Sequence, residues 1–516
     1  MSSIGSLASF ALLVGGVAAA VRVAARRSDP RELPHPAGWT LAGRRLGPGG
    51  TAVLLGGTVY TAYTVVAVPG LTYATGGFGL YALAYTVLLQ PVALVVLPAL
   101  RELASRHGLL TAADLALNRH GSHALALAVA LTGILAAMPY LVLQVVGLEA
   151  VLRVMGIDPQ GPAGLLGLAG AFVVLALVLL PGGLRACARF ARFKAVLIFG
   201  MLAVVLLMAT RRTAGPGQVF AEAGRRLSAE GLGSVAPPGS QAAYLTLALG
   251  SALAQLMYPQ VLTVSFAARS TDALRRAVLS LPLWTAALGL FAYLGFVALA
   301  LDVRTPDGHA ELAVPMLLDR LDAPPVSGLL LGALAIAALL PAAVMAVGIA
   351  TLVARNIYAE YFNPTATPKH EVRAAGLAAV VIITGALAFA LALHPQDAIN
   401  LHLLGGVWIS QTLPAVGLAP FTRWFHHRAL LAGWAVGMLA GTALVVSGGF
   451  SSVVDVGLGL VHLPVYVAVT ALVANLLVAL ALTPVLDRAG VPRRTEQPEE
   501  DRDVQRRGSR FAVRVD

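Results

Sequence analysis

Residues 56–64 read Gly56-Gly57-Thr58-Val59-Tyr60-Thr61-Ala62-Tyr63-Thr64, with Pro69 beyond them, and they sit inside an apolar run of residues 47–69. That run is long enough to cross a bilayer as a helix. Its paired glycines, hydroxyl-bearing side chains and proline weaken a helix midway. A second run carries a comparable interruption, Gly250-Ser251-Ala252-Leu253-Ala254-Gln255-Leu256-Met257-Tyr258-Pro259-Gln260. The two runs stand five apart in the series of apolar segments, so they cross in opposite senses. Interrupted helices at corresponding places of two inverted halves point to the central site of a secondary transporter. The competing reading is a pair of proline kinks that serve packing alone.

The rest of the chain supports a membrane setting. Of 516 residues, 58% are hydrophobic and 12% charged, with mean hydropathy +0.80; a soluble chain carries roughly 25% charged residues. Backbone polar groups in lipid must pair internally, which leaves helices or a closed barrel. The apolar runs are continuous and rich in Leu, Val and Ala rather than alternating, so they read as helices. About thirteen spans are expected, at 4–24, 47–69, 77–99, 122–154, 163–181, 188–209, 242–266, 274–301, 325–354, 373–393, 398–420, 428–447 and 463–485.

Met1 to Ala20 lacks a basic leader region, and Arg22, Arg26 and Arg27 follow it, so this run reads as a first span and not as a cleaved signal. Basic residues gather in alternate loops: Arg26, Arg27, Arg31, Arg44 and Arg45; Arg101, Arg106 and Arg119; Arg185; Arg269, Arg275 and Arg276; Arg355, Lys369 and Arg373; and Arg423. By the positive-inside rule these loops face the cytoplasm, with the N-terminus outside and the C-terminus inside a multi-pass plasma-membrane protein. Arg211, Arg212, Arg225 and Arg226 run against that pattern, softened by Glu222 and Glu230. The formal charge of +11 is accounted for by topology and calls for no nucleic-acid partner.

Cys187 is the only cysteine, which rules out an intramolecular disulfide and argues against a cysteine metal site. Lys194 and Lys369 are the only lysines among 36 basic residues, a bias that reads as base composition. From about Gly490 the chain turns charged and proline-containing, as expected of a disordered tail. The expected organisation is therefore a first helix and basic loop (1–46), an inverted-repeat core (47–420), two peripheral helices (421–489) and a tail (490–516). No Ser/His/Asp set, His-metal motif or carboxylate pair lies within the spans, which argues against an enzyme. No repeated filter loops suggest a channel.

The interrupted second span, with Ala67-Val68-Pro69 after it, resembles the sodium:solute symporter family, and most closely its monocarboxylate permease branch. Further matches are Thr111-Ala112-Ala113-Asp114-Leu115, Thr132-Gly133-Ile134-Leu135-Ala136, Met138-Pro139-Tyr140 and Leu143-Gln144-Val145-Val146-Gly147. Later come Tyr258-Pro259, Leu340-Pro341-Ala342-Ala343-Val344-Met345, Arg355-Asn356-Ile357-Tyr358 and Leu404-Gly405-Gly406-Val407-Trp408-Ile409. The resemblance implies an all-α, leucine-transporter-like fold with a 5+5 inverted repeat, spans two to six and seven to eleven. It also implies symport of a small carboxylate such as lactate, pyruvate, propionate or alanine with sodium.

Freed amides at a helix break favour an anionic carboxylate, and freed carbonyls favour a cation. The substrate is expected among Tyr60, Thr61 and Thr64, Tyr140 and Gln144, and Gln255, Tyr258 and Gln260, which offer neutral donors. For each hydroxyl, the bland alternative is a bond to a neighbouring helix. The resemblance places sodium, the only cofactor implied, between carbonyls of the second span and carbonyls plus hydroxyls of the ninth, here mainly the carbonyls of Gly57, Tyr60, Ala338, Pro341 and Ala342. This chain departs from the family there. Residues 337–346 carry no hydroxyl, Ala346 stands where relatives usually have Ser, and Thr58 where they often have Asp. A hard cation needs about five or six oxygens, so sodium coupling is expected to be weak, altered or absent.

Protons are the other candidate driver, through His402 in span eleven or Glu149, although Glu149 and Arg153 have the i, i+4 spacing of an ion pair. Asp114 is expected to cap or bridge the cytoplasmic face, with Arg101 or Arg119. An uncoupled facilitator and a solute-binding accessory or sensor subunit are the alternative functions, and the lack of a signalling domain weighs against the last.

Overall fold

A backbone dissolved in lipid has to satisfy its own hydrogen bonds, and the chain does so with helices nearly throughout. The computed structural model describes residues 4–26, 35–321, 324–392, 395–458 and 461–493. Arg27, Arg31 and the expected disordered tail beyond Arg493 lie outside the described residues.

In chain order the helices begin with α1 (Ile4–Arg26), α2 (Pro36–Leu41), α3 (Pro48–Val59), α4 (Val68–Thr75), α5 (Tyr81–Arg106), α6 (Ala112–His120) and α7 (His123–Val154). They continue with α8 (Pro162–Arg212), α9 (Pro216–Ala229), α10 (Gln241–Met257), α11 (Pro259–Ala267), α12 (Thr271–Val278), α13 (Leu281–Ala300) and α14 (Ala313–Leu321). The last are α15 (Pro324–Leu352), α16 (Pro368–Ala392), α17 (Pro395–Ile409), α18 (Leu413–Val416), α19 (His427–Ser447) and α20 (Val467–Arg488). Between α19 and α20 stands an antiparallel hairpin, β1 (Val453–Leu458) and β2 (Val461–Tyr466), with Val453 opposite Tyr466.

Among the described residues, eight continuous helices are long and apolar enough to cross a bilayer, nine with the bent pair α10–α11. Other expected spans are split or short. The expected spans 163–181 and 188–209 are the two arms of α8, which meet at a non-helical swivel at Gly183 (φ 50°, ψ −142°). Only glycine suits that swivel: its φ is left-handed, and a Cβ there would overlap the Trp39 carbonyl.

The centre of the bundle is α15, whose residues from Leu330 to Leu352 are all buried. α1, α7, α8, α11 and α16 surround it. Close approach elsewhere uses small residues, as is general for helices in lipid. Gly56 of α3 lies flat against the Trp284 indole of α13. Gly433, Gly437 and Gly441 of α19 admit Asn475, Gln411 and Val407. Asn475 Nδ2 donates to the Gln411 carbonyl at 3.0 Å, which ties α20 to the segment following α17.

One end of the bundle is closed by a polar network. Thr111 caps α6, its Oγ1 accepting from Asp114 N at 2.9 Å. The Asp114 carboxylate accepts from Asn356 Nδ2 at 2.8 Å and Leu110 N at 3.0 Å, and Arg355 approaches it at 3.4 Å. Arg355 also pairs with Glu371 of α16 at 3.3 Å. Arg355, 241 residues away in sequence, is thus an Arg partner of Asp114. Arg101 instead donates to the Ala268 and Arg269 carbonyls, at 3.2 and 2.9 Å.

Candidate functional site

Both interrupted runs are broken helices. α3 stops at Val59, Tyr60 is extended (φ −95°, ψ 103°), and the chain resumes through a π-helical turn, Tyr63–Ala67, into α4. α10 stops at Met257, Tyr258 is extended (φ −61°, ψ 136°), and α11 resumes at Pro259 with a bend of 53°. Pro259 has no N–H to continue the ladder and suits the first turn of the new helix.

A break leaves orphan donors and acceptors that burial makes costly. Side chains satisfy those at α3. Gln144 of α7, fully buried, accepts from Ala62 N at 3.0 Å through Oε1 and donates through Nε2 to the Tyr140 carbonyl at 2.9 Å. Thr61 Oγ1 accepts from Tyr63 N at 3.0 Å. The Tyr140 hydroxyl reaches the Val59 carbonyl at 3.4 Å. Lys194 of α8 donates to the Gly57 and Tyr60 carbonyls, each at 2.7 Å.

At the second break a narrow cavity opens, lined by Tyr85, Ser251, Gln255, Tyr258, His402 and Tyr466 among others. His402 of α17 lies in an aromatic surround, its ring centroid 4.1 Å from that of Tyr140, 4.8 Å from Tyr63 and 6.3 Å from Tyr258. Four of the lining side chains carry a buried polar atom with no hydrogen-bond partner among the described residues: Ser251 Oγ, Gln255 Nε2, Tyr258 Oη and His402 Nδ1. Tyr466, by contrast, donates to the Leu403 carbonyl at 2.6 Å. Buried polar groups are nearly always paired, so a cluster of orphans around one cavity is where a polar ligand gains most.

The expected substrate residues are distributed unevenly around this cavity. Gln255 and Tyr258 line it, and Tyr140 stacks edge-on against Tyr258 at 5.2 Å. Thr64 is buried with an unpaired hydroxyl in the π turn. Thr61 and Gln144 are engaged with backbone amides of the break. The Tyr60 ring points elsewhere, stacked on Trp284 at 5.7 Å with its hydroxyl bonded to Thr285 Oγ1 at 2.6 Å. Gln260 is fully buried in α11 with both amide atoms unpaired, and it is not among the residues lining the cavity.

Of the expected sodium residues, Gly57 and Tyr60 present their carbonyls to Lys194. Ala338, Pro341 and Ala342 lie buried in α15 alongside the break; Ala338 and Ala62 both crowd Gly147. Thr351, the first hydroxyl of α15 after Ser327, donates to the Val347 carbonyl at 2.7 Å and lies 3.0 Å from the Thr40 hydroxyl of α2. Glu149 is buried and feels the Arg153 charge, although no close ion pair joins them among the described residues; Arg153 lines an open cleft with Asp158, Asp319 and Arg320. Sequence reasoning gave Lys194 no role. The available signal was a lysine in mid-span of a chain that otherwise uses arginine.

Two discontinuous helices, the second of them lining a small polar cavity, are the pattern of a leucine-transporter-fold carrier. The fold comparison agrees. A Na+-coupled sialic acid symporter in a substrate-bound outward-open state superposes with a TM-score of 0.77, covering 96% of this chain and 100% of that one at 14% identity. The nucleobase-cation symporter Mhp1 in a closed conformation gives 0.51, covering 89% and 97% at 14% identity. The sequence profile of the sodium:solute symporter family matches residues 39–441, and the chain belongs to that family. A monocarboxylate transport permease protein of Rhizobium johnstonii is 41% identical over 465 residues, 90% of this chain and 93% of that protein. The chain is accordingly a multi-pass membrane carrier for a small solute.

Proposed function

We propose that the protein is a plasma-membrane symporter of small organic anions, monocarboxylates such as pyruvate, lactate or propionate, working by alternating access with its N-terminus outside. One observation carries the substrate class: Ser251, Gln255, Tyr258 and His402 direct unpaired polar atoms at one small cavity. Neutral donors bind a carboxylate without burying a fixed counter-charge beside it. The cavity between Tyr85 and Tyr258 holds about one water in this conformation, so a modest opening would admit a short cargo sooner than a sugar. The name of the Rhizobium relative points to the same class. The transporter core in this reading is residues 47–420, with the two breaks as its paired halves.

The test is uptake of labelled pyruvate, lactate, propionate and acetate into proteoliposomes, with sodium, potassium and pH gradients imposed separately. Accumulation against a concentration gradient marks symport, and equilibration alone marks a facilitator. Tyr258→Phe removes one donor to a charged group, worth about 1.5–3 kcal/mol, so KM rises by roughly tenfold or more while the reconstituted amount stays unchanged. Absence of uptake or competition by every one of these acids refutes the substrate class.

A further inference from the structure

The family's coupling ion is sodium, and the carbonyls expected to hold it are those of Gly57 and Tyr60. Those two oxygens are already bonded to the Lys194 ammonium, at 2.7 Å each. Lys194 is fully buried, and among the described residues it has no carboxylate partner. A buried charge persists only where dipoles or counter-charges compensate it. Here the compensation is the C-terminal end of α3, whose last carbonyls are orphaned by the break and carry the negative pole of the helix. The ammonium thus makes the contacts that a bound cation would make.

The opposite wall completes the misfit. Around Gly57 stand the Leu340 side chain of α15 and the Lys194 stem of α8, each close to where a Cβ would be. From Ala337 to Ala346 α15 offers no hydroxyl, so a sodium ion there would meet apolar side chains and would share two oxygens with a positive charge. The residues present do not fit sodium.

We propose that Lys194 is a tethered cation that stands in for transported sodium at the helix break, so that the carrier moves its cargo without sodium. Its charge holds the two halves of the broken helix in the unwound arrangement and offsets the charge of an anionic cargo. Being covalently held, it cannot leave with the cargo. The proposal rests on reading the chain as a carrier, but its first test needs no cargo.

Equilibrium binding of radioactive sodium to the purified full chain is expected to show no saturable, sodium-specific component; one saturable ion per chain overturns the proposal. In proteoliposomes, the initial uptake rate of whichever monocarboxylate is transported is expected to be unchanged, within roughly twofold, when choline replaces sodium. A fall of roughly tenfold or more overturns the proposal. Lys194→Ala is expected to lose at least roughly tenfold in choline and to regain uptake on adding methylammonium, but not methanol. A charge-specific rescue is something a packing role would not produce. Wild-type rates for both Lys194→Ala and Lys194→Met in choline overturn the proposal. If no monocarboxylate is transported, the substrate assignment fails while the sodium-binding result still decides the role of Lys194.

Discussion

Replacing Gln144 by Leu tests whether the unwound segment is held open by its neighbours or stands by itself. Gln144 is fully buried, and its Oε1 is the acceptor for Ala62 N, itself in a residue 1% exposed. Leu has similar volume, so the cavity cost is small. The main cost is an amide left buried without a partner, about 1–3 kcal/mol. The Tyr140 carbonyl loses a second donor but keeps its place in the α7 ladder. If that cost falls on the unwound, binding-competent conformation, its population drops and the apparent affinity drops with it, by about 5- to 150-fold.

The assay is the KM for uptake in proteoliposomes, together with ligand-induced thermal stabilisation in detergent. Yield and monodispersity should match wild type, because the damage is confined to the site. A KM within roughly twofold of wild type in a well-folded Gln144→Leu protein refutes the reasoning. It would mean that the break at Tyr60–Ala62 needs no brace from α7.

Two further outcomes follow from groups outside the site. His120 donates from Nε2 to the Ala415 carbonyl at 3.0 Å, and burial, with a smaller contribution from Arg119, lowers its pKa to about 4 although the carbonyl bond opposes this. The fold therefore prefers neutral His120. Its contribution is complete above about 6.5 and is lost as pH falls toward 4, on the order of 3 kcal/mol in all; a thermal midpoint that declines over this range in wild type and flattens in His120→Gln is expected. Asp114→Ala leaves Asn356 Nδ2, Leu110 N and one side of Arg355 unpaired at a buried position, a loss of about 3–5 kcal/mol; the unfolding midpoint should fall clearly, and less in Asp114→Asn, which keeps an acceptor.

The helix breaks were legible because they are written in local chemistry. Glycine pairs, Tyr258-Pro259 and clustered hydroxyls interrupt a helix wherever they occur in an apolar run. The side chains that serve the break were legible as types but not as roles. Gln144 and Thr61 looked like donors for cargo and are committed to backbone amides, since nothing in spacing tells which neighbour an amide side chain will meet. Tyr60 lies at the centre of the motif, yet its ring stacks on Trp284 of α13, a neighbour that only the fold supplies. His402 and Lys194 come from helices far along the chain, and only the fold brings them to the breaks. The partners of Asp114 were missed for the same reason, as a pairing across 241 residues leaves no trace in periodicity.

Tyr466 ends strand β2 and also forms part of the cavity wall. A small β ornament at the rim of the bundle is therefore bolted to the chamber where cargo rests. Anything that grips the ornament, such as a nanobody too large to enter the membrane, has a lever on that chamber. Trimming the hairpin also reshapes the pocket, so the two cannot be altered independently.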